Sequence, residues 1–303
     1  MQARSVEFSS GGESIAGDLY LPDGGEAPYP LVIMAGGWCY VKELIQPQYA
    51  RFFVDAGMAV LIFDYRYLGA SGGEPRQHID PWDQIEDYRN TISFAETLEE
   101  VDADRIAIWG ISYSGGHVLI VGSLDDRVKC VVSNIPVVDG LYSMKVAHGS
   151  LGFRRLTAAI KEDRVARLHG GEWGYIPMSA DDPATEVSSW PFPEVKEVFL
   201  ELQAASAPSH QHRNTIASVD RLLSYSVWPY VGNILNTPTM MVVAEGDDIT
   251  MWDREIDAYN AISTAKKKLV VISDTSHMTL YSDMSRLEIA ATEAAAWLSE
   301  HLS

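Results

Sequence analysis

Cysteine is nearly absent. The 303-residue chain holds two, Cys39 and Cys130, each in or beside an apolar run. Two cysteines make no disulfide framework, and no metal-ligand spacing is present, so both read as buried free thiols. Positive charge is also scarce. Lysine and arginine number 23 against 42 aspartates and glutamates, a formal net charge of −19. A surface of that sign repels phosphate backbones, which argues against nucleic acid as a partner. No apolar run is long enough to span a bilayer, and Met1-Gln2-Ala3-Arg4-Ser5 leads straight into strand-like Val6-Glu7-Phe8 with no apolar leader core. The expectation is a cytoplasmic protein without a membrane partner. Internal repeats and low-complexity tracts are lacking as well.

What is there is ordinary globular composition, 47% hydrophobic and 21% charged. That supports one large α/β domain or a domain carrying an insertion. Residues 4–10 and 15–21 read as an antiparallel start around Gly11-Gly12. Apolar runs at 31–35, 59–63, 105–109, 128–132, 239–244 and 268–272 read as strands of a sheet covered on both faces. Between them lie helical stretches: 49–56, stopped by Gly57, and 81–100, with Trp82, Ile85, Tyr88, Ile92 and Ala95 at helical spacing. A last helix carries Leu287, Ala291, Ala294 and Leu298. The alternation predicts a doubly wound, mostly parallel sheet. It breaks between 140 and 230, where helical pieces (153–168, 194–205) mix with Trp173, Tyr175, Trp190 and Trp228. The expected organisation is core at 1–139, an inserted, mainly helical cap at 140–230, and core again at 231–303.

Trp109-Gly110-Ile111-Ser112-Tyr113-Ser114-Gly115-Gly116 carries the chemistry. It joins a buried strand to His117-Val118-Leu119-Ile120-Val121, which reads as helix. A serine at such a turn, with small residues two before and two after, has the form of a nucleophile elbow. Ser114 is a rival with small neighbours of its own, but the strand end at Trp109 puts Ser112 in the turn and Ser114 inside the helix. Serine needs a base, and the base an orienting acid. Elbow folds supply these in the order serine, acid, histidine, after late strands. The strand at 239–244 runs into Glu245-Gly246-Asp247-Asp248, and that at 268–272 into Ser273-Asp274-Thr275-Ser276-His277. His277 is the expected base and Asp247 the expected acid. Asp248 and Asp139 remain as alternative acids. A developing oxyanion needs fixed donors. The backbone N–H of Tyr113 is one. The Gly36-Gly37-Trp38-Cys39-Tyr40 loop offers the N–H of Trp38, with Cys39 next to it. The Tyr40 hydroxyl reaches toward the same place, although packing is its plainer role.

With these motifs the chain resembles the α/β-hydrolase superfamily along nearly its whole length. The Gly-Ile-Ser112-Tyr-Ser-Gly-Gly turn resembles those of prolyl-oligopeptidase relatives and of dienelactone hydrolase and X-Pro-peptidase-like esterases. Asp64-Tyr65-Arg66-Tyr67-Leu68-Gly69-Ala70-Ser71-Gly72-Gly73 is similar to a loop of that group, with the glycines and Arg66 structural. Pro75-Arg76-Gln77-His78-Ile79-Asp80-Pro81-Trp82 is similar to a stretch of fungal polyketide transferases and thiohydrolases. The resemblance implies a capped serine hydrolase acting on a carboxylic ester, thioester or lactone, with no metal or organic cofactor and with the homodimer common in this fold. Acyl transfer and carbon–carbon bond hydrolysis are the alternatives it carries. A non-catalytic scaffold fits less well, since no triad member is missing. Three departures stand out: Gly36-Gly37 replaces the usual His-Gly, Ser114 replaces the second elbow glycine, and Met251 stands where relatives often have proline. The implied cap gives the pocket its shape, with Tyr40, His148 and Trp228 as pocket candidates.

Overall fold

The computed structural model describes residues 2–303, built on one eight-stranded sheet. A hairpin opens it: β1 (Ala3–Ser10) pairs antiparallel with β2 (Glu13–Tyr20) across Gly11-Gly12. Then strands and helices alternate: β3 (Tyr29–Ala35), α1 (Gln46–Asp55), β4 (Ala59–Phe63), α2 (Pro81–Ala95), β5 (Val101–Ile111), α3 (Tyr113–Leu124) and β6 (Val128–Asn134). A long departure follows through α4 (Gly140–Leu168), β7 (Tyr175–Pro177), α5 (Pro193–Ala205), β8 (Arg213–Thr215), α6 (Ile216–Leu222) and α7 (Trp228–Val231). The chain returns with β9 (Thr239–Ala244), α8 (Trp252–Ala261), β10 (Lys267–Ile272), α9 (Thr279–Ser282) and α10 (Met284–Leu302).

The sheet order is β1-β2-β4-β3-β5-β6-β9-β10. Every pair from β4 onward is parallel. Helix α1 packs with α10, and α2 with α3, so helices flank the sheet. Fully buried β4 shows why such strands read as unbroken apolar runs: all five of its side chains leave water, and burial of a large aliphatic one contributes about 1.5–3 kcal/mol. No helix among the described residues is long and apolar enough to cross a membrane.

Some elements differ from expectation. β5 begins at Val101 rather than 105, because its first turn of chain carries Asp102, Asp104 and Arg105, which face solvent and pair with one another (Arg105 Nε to Asp102 Oδ2, 2.7 Å). Helix α2 ends at Ala95, and Trp82 is 45% exposed beside Tyr230 rather than part of the buried face. Helix α4 begins at Gly140, capped by the Asp139 carboxylate on the Tyr142 N–H at 2.9 Å, and breaks at Gly149. The departure is not purely helical, since β7 and β8 pair antiparallel within it.

The Arg66 loop is anchored as the resemblance implies. Arg66 Nε meets buried Asp87 Oδ1 at 2.8 Å, and its other donors reach Ser10 and Glu86. This clamps the loop after β4 onto α2 and β1.

Candidate active site

Ser112 sits where β5 stops and α3 begins, with φ 59° and ψ −118°. A non-glycine residue at positive φ is strained, and such strain gathers where a side chain must be presented rather than packed. Three backbone bonds hold the turn: Ser112 N–H to Asn134 O (2.9 Å), Val137 N–H to Ser112 O (3.0 Å) and Gly116 N–H to Ser112 O (3.3 Å). Gly110 has no room for a side chain, because a Cβ there would strike the Ser114 carbonyl. Ser114 is fully buried. Its Oγ accepts from the Ile111 N–H (2.8 Å) and lies 2.8 Å from the Ala35 carbonyl, so it ties β5 to β3 from inside the helix.

Parallel strands bring the other loops to the same sheet edge, since β5, β6, β9 and β10 are neighbours. The loops after β9 and β10 hold each other through Gly246 N–H to Thr275 O (2.9 Å) and Asp274 N–H to Glu245 Oε2 (3.1 Å). His277 Nδ1 lies 2.6 Å from Asp247 Oδ2. Asp247 also accepts from the N–H groups of Ile249 and Thr250 and from the Thr250 hydroxyl, each at 2.9 Å. Burial works to raise the Asp247 pKa, but the His277 ring and these donors outweigh it and hold the carboxyl below its ordinary range. Of the alternative acids, Asp248 is exposed and Asp139 caps α4. No Ser112–His277 hydrogen bond is formed in this structure; both side chains face one small space. Catalytic contacts are often long before substrate arrives.

The loop after β3 passes directly over the serine. A Cβ on Gly37 would lie 3.0 Å from the Ser112 Cβ, so any larger residue there would crowd the serine. The Trp38 N–H has no acceptor among the described residues, and the Tyr113 N–H is the first of its helix and has no intrahelical partner. The long departure fixes the loop from the far side: Trp38 Nε1 donates to Asn214 Oδ1 (2.9 Å), and His210 Nδ1 meets the Cys39 carbonyl (3.0 Å).

The space in front of Ser112 measures only about 20 Å³, room for roughly one water. Met178, Trp190, Val195 and Phe199 come down on it from the segment between β6 and β9, and Trp38, Tyr40, Ile249 and Met278 close it from the core. Of the three pocket candidates, Tyr40 lines it. His148 does not; its Nε2 turns to the Ser189 carbonyl at 3.1 Å. Trp228 does not either, being the first residue of α7, a helix that packs on α3 and α8. Sequence reasoning missed Val195 and Phe199, although their one-turn spacing on α5 marks a shared face. It also missed Tyr281, whose hydroxyl is buried and whose ring lies 5.6 Å from that of His277, and Thr250 and Glu255 behind Asp247.

This arrangement has known counterparts. The family model for X-Pro dipeptidyl-peptidase (S15 family) matches residues 11–279. The quorum-quenching protein AidA of Acinetobacter baumannii is 33% identical over 186 residues, 61% of this chain and 60% of that protein, so the match spans less than two thirds of its length. The acyltransferase drtE of Aspergillus calidoustus is 30% identical over 241 residues, 78% of this chain and 76% of that protein. Among solved structures, the α/β hydrolase GrgF from a Penicillium species superposes with a TM-score of 0.82 at 23% identity, over 100% of this chain and 99% of that one, a likeness of fold. The chain belongs to the X-Pro dipeptidyl-peptidase (S15) family and is a hydrolase of the α/β-hydrolase fold.

Proposed function

We propose that the protein cleaves a carboxylic ester, thioester or lactone through an acyl-enzyme on Ser112. The observation that carries this reading is the 2.6 Å contact of His277 Nδ1 with Asp247 Oδ2, made by a histidine that lines one small space with a strained serine. With Nδ1–H committed to Asp247, Nε2 is free to act as base. Ser112 Oγ attacks the carbonyl carbon and its proton passes to His277 Nε2. The Trp38 and Tyr113 N–H groups receive the oxyanion. As the intermediate collapses, the proton goes from Nε2 to the departing alkoxide or thiolate. Water then gives its proton to Nε2 and its oxygen to the acyl carbon, and the acid leaves as Ser112 recovers its proton. In this reading residues 140–230 act as the cap. The apolar lining supports an acyl group that is itself largely apolar.

Acyl transfer is the second reading, favoured by the match to a fungal acyltransferase. An alcohol or amine would then take the place of water at the second step, and product analysis with competing acceptors separates the two outcomes. The primary test is a fluorophosphonate probe read by mass spectrometry together with a panel of aryl esters, thioesters, lactones and Xaa-Pro substrates. Labelling at Ser112 is expected, with ester turnover lost in Ser112→Ala. An unlabelled Ser112 in folded protein, or full activity in the alanine variant, would overturn the reading.

A further inference from the structure

A second carboxyl stands behind Asp247. Glu255, in the first turn of α8, is fully buried. Its Oε1 lies 2.7 Å from Thr250 Oγ1, and its Oε2 is buried with no hydrogen-bond partner among the described residues. The same Thr250 oxygen lies 2.9 Å from Asp247 Oδ2 and 3.2 Å from His277 Nδ1. The charged side chains felt by Glu255 are Asp247 and, on its own helix, Asp253, both negative. Arg254, next in sequence, is engaged with Asp253 and Asp257 instead.

Counting hydrogens decides the state of this cluster. A threonine hydroxyl owns one proton. Two carboxyl oxygens lie within 3 Å of it, and each of these contacts needs a hydrogen between its oxygens. If both carboxyls were ionised, one would face a bare lone pair. Asp247, with three donors and the imidazole, is the natural anion. An ionised Glu255 would in addition leave Oε2 naked in the interior, which is costly. We infer that Glu255 is a neutral carboxylic acid in the working enzyme and a positioning residue of the site: its Oε1–H donates to Thr250 Oγ1, whose own proton then points to Asp247 Oδ2. Burial, the largest influence on this group, and the negative charge of Asp247 both favour the protonated form.

The inference rests on the roles given to Asp247 and His277 above. A second carboxylate here would set another buried negative charge beside that of Asp247. A neutral acid supplies the donor without the charge. The Glu255→Thr250→Asp247 chain also leaves one place on Oδ2 for the His277 Nδ1–H, which fixes the ring's tautomer.

Two measurements on the intact protein test it. Infrared difference spectra of wild type against Glu255→Gln, at neutral pH, should contain the carbonyl stretch of one protonated carboxyl; a carboxylate signal in its place overturns the proposal. This readout is independent of whether Ser112 is the nucleophile. In kinetics, Glu255→Leu should lower kcat about tenfold with little change in KM, and Glu255→Gln, which keeps a neutral donor, should restore most of the loss with the acidic limb of the kcat/KM profile in place. A Gln variant whose acidic limb moves to lower pH would show that a negative charge had been removed, and the inference fails. Should the leucine variant not fold, the infrared and glutamine results still decide.

Discussion

Two serines two residues apart have opposite fates. Ser112 keeps a strained backbone and a hydroxyl at the edge of the reaction space, while Ser114 spends its hydroxyl on β3 and β5. Ser114→Ala strands the Ile111 N–H and the Ala35 carbonyl. It should therefore cost about 1–3 kcal/mol in denaturant melts and still allow fluorophosphonate labelling at Ser112. Glu255 gives a second prediction, of pH dependence. Its folded-state pKa lies well above the usual carboxyl value, from burial first and Asp247 next. Between the ordinary glutamate value of about 4.3 and that raised value the folded chain binds more protons than the unfolded one. The stability this proton provides is complete below the lower limit and is lost as pH rises through the window, by up to about 1.4 kcal/mol per pH unit. Glu255→Gln lacks this loss, so its melting temperature should gain on wild type from pH 5 to pH 8. A constant difference across that range would contradict a neutral Glu255. The positions of Ser112 and His277 in the fold were legible because each lies in the turn or loop that follows a strand, in a fixed chain order. Glu255 was not, because an acidic residue within Trp252-Asp253-Arg254-Glu255 reads as solvent-facing helix until its surroundings are known.

Among elements, strands were easier to read than the segment between β6 and β9. Strands β4 and β9 are apolar throughout and match their expected limits, whereas the charged first half of β5 concealed its start. Strands β7 and β8 have three residues each, too few for a period to show. The first part of α4 was hidden because Gly149 interrupts its pattern. Helix α5 is the element that shapes the pocket. Val195 and Phe199 stand one turn apart on it, and the Phe199 ring packs against Tyr40 (5.2 Å between centroids) and Tyr281 (6.0 Å). Phe199→Ala removes the largest side chain that α5 places over Ser112. The ratio of kcat/KM for bulky over short acyl esters should then rise about tenfold; an unchanged ratio would mean that another element sets acyl size. The His148 and Trp228 expectations failed for a geometric reason: sequence locates aromatics within a segment but not which of them turn toward the core's open edge.

For the molecule as a whole, a net charge of −19 surrounds this apolar space. Anionic substrates approach against that field, and neutral ones do not feel it. The screening length falls to about 10 Å at 0.1 M salt. Added salt should therefore raise kcat/KM for a carboxylate-bearing thioester and leave that of a neutral aryl ester nearly constant. Equal responses from the two would show that the field does not reach the entrance. Charge and composition were readable at this scale, and so was the doubly wound architecture. The small size of the space before Ser112 was not, because it depends on side chains from distant parts of the chain meeting in one place. That size bears on the acyl-enzyme proposed on Ser112. In that proposal, a space with room for roughly one water presents few solvent molecules to the acyl carbon at a time. The partition between hydrolysis and transfer then becomes a question of fit, settled by which small nucleophile finds room beside the acyl group.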